Sequence, residues 1–198
     1  MGCVPLYALY DITIPRISES WIKRFFDGTR KQHKVSIIGG DTTKGPMSIS
    51  ITLIGVKKNK IITRSGAKTG HDIYITGNIG SARAALILDK KTKGYKYFRK
   101  SLVNPLPRVS VGLELSEFAS SCIDISDGLI QDLGHILDSS EVGGRISSSL
   151  IPVSEGAKLN DALFGGDDYQ LLCTSPNQLN CFLLIGVITQ ELGIVFVV

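Results

Sequence analysis

Ile37-Ile-Gly-Gly-Asp-Thr-Thr43 is an apolar run that delivers the backbone to two glycines, a carboxylate and two hydroxyls. The same construction returns in Cys122-Ile-Asp-Ile-Ser-Asp-Gly-Leu129 and in Gly165-Gly-Asp-Asp-Tyr169. Any one of these stretches, taken singly, reads as a turn or a helix cap, where Asp, Ser and Gly are most at home. Their order and company give them meaning, so the chain is read outward from them.

Before the first stretch, Leu6 to Ile14 alternates large apolar with smaller or polar residues and stops at Pro15, the pattern of a strand. Ser18 offers an N-cap, and Trp21, Ile22, Phe25 and Phe26 lay an apolar stripe along a helix expected to reach about Lys34. Val35 to Ile38 is a short strand closing in a Gly-Gly-Asp turn, and Met47 to Val56 a second strand, with Ile49, Ile51 and Leu53 on one face and Ser48, Ser50 and Thr52 on the other. Asp72 to Thr76 predicts a strand and Ala82 to Leu88 a helix, the opening of a second α/β unit. Val109 to Phe118 predicts a helix and Ser121 to Ile125 a strand. Leu129, Ile130, Leu133, Ile136 and Leu137 recur at helical spacing, which puts Ser126-Asp127-Gly128 at a helix N-terminus, an anion site. Strands follow near Arg145 to Ser148, Tyr169 to Thr174, Phe182 to Ile188 and Ile194 to Val198.

Of the 198 residues, 43% are apolar and 20% charged, so the chain can build a core and is neither disordered nor fibrous. The net charge of +4 is spread out; its densest groups, Lys57 to Lys60 and Lys90 to Lys100, read as solvated faces, and no nucleic-acid motif accompanies them. Cys3, Cys122, Cys173 and Cys181 form no Cys-x-x-Cys pair, which predicts reduced and mostly buried thiols. His33, His71 and His135 lack the spacing of a zinc site. No apolar run approaches the roughly 20 residues that span a bilayer, and the start lacks the order of a signal peptide, so a cytoplasmic protein is expected, without nucleic-acid or membrane partners.

The three stretches match the requirements of phosphoryl transfer from a nucleotide: hard oxygen ligands for Mg²⁺, small residues that let phosphates approach, and a cation for developing charge. Asp41, Asp124 and Asp127 are the carboxylate candidates. Gly39, Gly40 and Gly128 allow close approach, Thr42, Thr43 and Ser126 offer hydroxyls, and Arg64 is a candidate phosphate clamp. Asp124 lies between Ile123 and Ile125, where an uncompensated charge is costly. There is no Gly-x-x-x-x-Gly-Lys-[Ser/Thr] loop, protein-kinase catalytic loop or Gly-x-Ser-x-Gly elbow.

With Thr63-Arg-Ser-Gly-Ala-Lys68, Asn104-Pro-Leu-Pro-Arg108 and Gly165-Gly-Asp-Asp-Tyr-Gln-Leu-Leu172 added, the chain resembles the thiamine-monophosphate kinases of the aminoimidazole ribonucleotide synthetase-like superfamily. The resemblance implies an α/β (α+β) fold: a partial ferredoxin-like N-terminal half-domain over residues 1–60, a remnant of an ATP/Mg-binding domain, then a shortened α/β C-terminal domain over 61–198. It implies ATP-dependent phosphorylation of thiamine monophosphate to thiamine diphosphate by direct in-line transfer with Mg²⁺. Gly40, Asp41, Arg64 and Ser126 would contact ATP, Asp41, Asp124 and Asp127 would hold metal, and Asp167 would meet the thiamine. Phe26 would lie beside the nucleotide. A homodimer through the N-terminal sheet is implied as well.

Against the family pattern, the paired aspartates that precede the Met-Gly step and the C-terminal aromatic of the thiamine pocket have no counterpart, Asp167 replaces a Glu, and Ile151 to Ala162 reads as an abbreviated linker. The expectation is a chain truncated at both ends that keeps the nucleotide-side motifs and turns over weakly or not at all by itself. The alternative is a non-catalytic remnant that binds nucleotide or dimerises.

Overall fold

Two sheets organise the chain, each in its own compact unit: Cys3–Lys58, and Met1–Gly2 with Asn59–Val198. The structure is a computed structural model that describes residues 1–32 and 35–197. The expected end of the first helix at Lys34, His33, and the last residue of the final strand, Val198, lie outside the described residues.

In the smaller unit, β1 (Cys3–Ile14) is central, parallel to β2 (Ser36–Lys44) and antiparallel to β3 (Ser48–Lys57). The helix α1 (Glu19–Gln32) makes the crossover between the parallel pair. Its start is set by Ser18, whose Oγ accepts the Trp21 amide at 3.4 Å. Alternation along β1 turns Ala8, Tyr10, Ile12 and Ile14 onto α1, where they pack with Trp21, Ile22, Phe25 and Phe26. This βαβ unit with one added antiparallel strand is the ferredoxin-like half expected from the sequence.

The Gly-Gly-Asp turn is not found. Gly39, Gly40 and Asp41 lie inside β2, and the chain reverses only at Gly45-Pro46, where the Gly45 amide donates to Ile14 O at 3.0 Å. The glycines serve pairing instead. At Gly40, φ is +133°, and a Cβ there would run into the Tyr10 backbone. The pairing slips by one residue between Ala8 and Leu9, so Gly-Gly absorbs a strand irregularity at close approach.

The larger unit holds a six-stranded sheet in the order β5-β7-β4-β8-β6-β9. Its strands are β4 (Asp72–Ile75), β5 (Ser121–Asp124), β6 (Gly143–Ser147), β7 (Leu171–Ser175), β8 (Leu183–Thr189) and β9 (Gly193–Val197), and the β6/β9 pair is parallel. Around it lie α2 (Ser81–Ile87), α3 (Tyr95–Val103), α4 (Val109–Leu115), α5 (Leu129–Ser140) and α6 (Leu159–Phe164). On one face Ile73, Ile75, Ile123 and Leu172 pack against Leu129, Leu133, Ile136 and Leu137 of α5. On the other, Tyr74, Cys122, Leu171 and Cys173 meet Leu115 and Ala119. Each such burial contributes roughly 1.5 to 3 kcal/mol, so α5 is the principal clamp on the sheet.

Two readings are corrected here. The Lys90 to Lys100 run is solvated only in part, because its second half forms α3, which buries Phe98 against Ala84 and Ala85. Long cationic stems masked that apolar position. The stretch read as a linker ends in α6, whose Asp161 carboxylate accepts the Lys158 amide at 3.0 Å. Cys122 and Cys173, opposite each other on β5 and β7, are free and buried; burial pushes the Cys122 thiol up to about 12 and raises Cys173 as well, so both are packing residues. Among the described residues no helix is long and apolar enough to cross a membrane.

Candidate functional site

In the larger unit, two loops stitched together by backbone hydrogen bonds gather four of the expected residues. β5 ends at Asp124, and the turn through Ser126 and Asp127 leads into α5. The other loop, from α6 to β7, lies against it: Asp167 N donates to Ser126 O at 2.9 Å, Tyr169 N to Ile125 O at 2.9 Å, and Ile125 N to Gln170 O at 2.8 Å. Gly128, with φ +126°, lets the loops touch, since a Cβ there would sit 3.1 Å from the Phe164 backbone.

The α6–β7 loop is held under strain. Asp167 and Tyr169 have φ of +63° and +51°, left-handed values that cost a non-glycine residue on the order of 1 kcal/mol or more each. Tyr169 Oη donates to Asp167 Oδ1 at 3.0 Å. That bond to a carboxylate, then partial burial, then the charges of Asp167, Asp124 and Asp127 raise the Tyr169 pKa. Asp168 points the other way, its carboxylate accepting Gly80 N at 2.6 Å and Ala82 N at 3.3 Å at the start of α2. Burial raises its pKa, opposed by these amide bonds.

The helix N-terminus read as an anion site is already filled. Asp132, buried in the first turn of α5, places Oδ2 at 3.0 Å from Ser126 N and 3.1 Å from the amides of Asp127 and Gly128. A phosphate would compete for the same three donors. Asp124 is only half-buried at the strand end, so it lacks the deep burial inferred from its apolar neighbours, and among the described residues no hydrogen bond reaches its carboxylate. Ser126 and Asp127 lie beside it, half-buried and exposed. Asp127, Asp132 and His135 each offer a ligand atom within 4.8 Å of the others.

Arg64 is not brought to these acids by a described contact. Its carbonyl accepts Ser140 Oγ at 3.5 Å, at the last residue of α5, whereas Asp127 precedes the first. Twelve helical residues, roughly 18 Å, separate the two ends. The same Ser140 Oγ accepts the Gly66 and Ala67 amides, both at 3.2 Å, which fixes the loop carrying Arg64.

Gly40 and Asp41 belong to the smaller unit. Asp41 Oδ1 accepts the Thr42 amide at 2.7 Å, and Thr13 and Thr43 hydroxyls bond at 2.8 Å on the face away from α1. Asp11 stands in register with Asp41, so two carboxylates occupy adjacent parallel strands. Phe26 is on the other face, packed at 5.8 Å against Tyr10 and 5.4 Å against Phe25. Within this unit it is a core aromatic rather than a neighbour of Asp41.

Sequence reading gave no role to Asp132, Asp168, Tyr169 or Asp11, and named His135 only as lacking the spacing of a zinc site. Asp132 had left a signal, a carboxylate at helical spacing within the apolar set Leu129, Leu133 and Ile136, hence on the buried face. The others left none, because only the folded loops and register decide their neighbours.

No family model matches the chain. A thiamine-monophosphate kinase of Buchnera aphidicola (subsp. Schizaphis graminum) is 41% identical over 192 residues, covering 88% of this chain and 59% of the relative. The chain thus spans about three fifths of the length of that curated relative. The crystal structure of thiamine-monophosphate kinase from Stenotrophomonas maltophilia K279a superposes with a TM-score of 0.90 at 34% identity, covering 99% of this chain and 73% of that one. AaThiL complexed with AMPPCP and TMP has the same TM-score, 0.90, at 28% identity, covering 98% of this chain and 71% of that chain. On sequence and fold together, the chain belongs to the thiamine-monophosphate kinase family.

Proposed function

We propose that this chain carries the nucleotide side of an ATP-dependent phosphorylation of thiamine monophosphate to thiamine diphosphate. The observation that carries the reading is the stitched pair of loops that puts Asp124, Ser126, Asp127 and Asp167 together on a fold shared with a protein complexed with AMPPCP and TMP.

Asp124 and Asp127 are hard oxygen donors, half-buried and exposed, with no ion pair among the described residues, which suits Mg²⁺ rather than a softer metal. Asp41, within the smaller unit, would likewise be a metal ligand. Bound there, Mg²⁺ would screen the phosphate oxygens during direct in-line transfer. Ser126 would donate its hydroxyl to ATP, and Arg64 and, in the smaller unit, Gly40 are the further ATP contacts that the resemblance implies. Asp167, steadied by the Tyr169 hydroxyl, would meet the thiamine. In this scheme residues 1–60 belong to the ATP/Mg-binding domain and 61–198 to the C-terminal domain.

The smaller unit supports a homodimer. The outer edges of β2 and β3 have no strand partner among the described residues, and the two strands expose Ile38, Ile51, Leu53, Ile54 and Val56 over both faces, apolar area that a second copy would cover. Four free cysteines suit a reducing cytoplasm.

An assay with Mg-ATP and thiamine monophosphate tests the reading, and formation of thiamine diphosphate above the uncatalysed rate supports it. Calorimetry with Mg-ATP on the chain, Asp124→Asn and Asp41→Asn tests the site. Binding lost in both variants supports it, and no binding by the unaltered chain would leave the dimerising, non-catalytic reading.

A further inference from the structure

We propose that Asp132 is a positioning residue for this site, a built-in anion that occupies the amides before α5, fixes the turn carrying Ser126 and Asp127, and shuts metal-free phosphate out of it. The proposal rests on reading Asp124 and Asp127 as metal ligands, and one arm of its test is independent of that reading.

Three observations converge on the side chain. Asp132 is 1% exposed, so its charge must be compensated within the protein. A single oxygen, Oδ2, takes the amides of Ser126, Asp127 and Gly128 at 3.0, 3.1 and 3.1 Å. Three converging amides at the positive end of a twelve-residue helix form the concave donor set that ordinarily receives a phosphate oxygen. Here the occupant is covalently attached and buried, and hydrogen bonds to a charged acceptor are roughly twice as strong as neutral ones.

Two consequences follow for the ligands. The backbone on both sides of the Asp127 side chain is pinned, since its own amide and the next are both donors to Asp132. With the amides saturated, an incoming phosphate finds the carboxylates of Asp124 and Asp127 and no free backbone donor from 126 to 128. Phosphate alone is repelled there, and phosphate paired with a divalent cation is accepted. The turn therefore selects the metal complex of a nucleotide over the free nucleotide.

The test uses amide NMR spectra of the whole chain, titrated separately with Mg²⁺ and with inorganic phosphate in the absence of metal. In the unaltered chain, Mg²⁺ should move the resonances around Asp124 and Asp127, and phosphate should leave Ser126, Asp127 and Gly128 unmoved. Asp132→Asn, which preserves shape and removes charge, should weaken Mg²⁺ binding about tenfold or more, as loss of groups supporting metal ligands typically does. Asp132→Ala should open the nest, so that phosphate alone now shifts those three amides. Mg²⁺ binding by Asp132→Asn equal to that of the unaltered chain, or metal-free phosphate shifting the three amides before any substitution, overturns the proposal. If Asp132→Ala does not fold, Asp132→Asn decides alone. If Mg²⁺ moves nothing near Asp124 and Asp127, the metal-ligand reading fails, and the phosphate arm still decides whether Asp132 fills the nest.

Discussion

The stitched loops of the larger unit and the open sheet of the smaller one handle the same residue types, glycine beside aspartate, in opposite ways. Around Asp124 and Asp127 the backbone donors are consumed internally, by Asp132 at α5 and Asp168 at α2, and left-handed Asp167 and Tyr169 are locked between them. Around Asp41 the carboxylate, among the described residues, bonds its neighbouring amide alone, on an exposed strand at a sheet edge. One region is over-determined and the other under-packed. The lesson is that a ligand motif does not reveal its own rigidity: rigidity comes from burial and from side chains elsewhere in the chain.

The comparison can be broken first at the clamp. Leu133→Ala, fully buried under the sheet, should cost about 2 to 5 kcal/mol in denaturant unfolding, while proteolysis within residues 3–58 stays unchanged. Proteolysis accelerating equally in both units would show that the smaller one has no separate stability. Gly128→Ala should cost about 1 to 3 kcal/mol, through its φ of +126° and its contact with Phe164, and should abolish Mg-ATP binding in calorimetry; unaltered binding would mean that the loops need not touch.

Asp168 sharpens the contrast through pH. Its folded pKa lies above the unfolded value because of burial, so the folded state holds the proton more tightly. Its contribution to stability is therefore fully present below the unfolded pKa and is lost as pH rises from there through the folded pKa. In Asp168→Asn that fall should be missing from a stability-versus-pH series, and an unchanged profile would refute the assignment. The smallest effect belongs to the open sheet. Ile51→Thr, at an exposed β3 position, should change stability by no more than about 0.5 kcal/mol while weakening self-association in sedimentation; undiminished association would remove β3 from the dimer surface.

The elements were legible wherever one periodicity ruled. β1, β3 and α5 declare themselves by alternation or by an apolar stripe, and fall close to where the sequence places them. α3 hid behind its lysines, and α6 inside a stretch too short to carry a period. The Gly-Gly of β2 read as a turn because glycine marks both reversals and close strand approach, and only the partner strand distinguishes the two. At the site, Asp124, Ser126 and Asp127 were visible as a motif, whereas Asp168 and Tyr169 acquire their partners from α2 and from Asp167 once the loops have folded.

The sequence by itself determined the family, the periodic elements and the set of oxygen-bearing side chains, because these depend on residue type and local spacing. Tertiary structure alone decided which carboxylates face outward as ligands and which, like Asp132 and Asp168, turn inward. That choice depends on which amides lie within about 3 Å of each acid once chain segments far apart in sequence have packed, and no local pattern encodes such a distance.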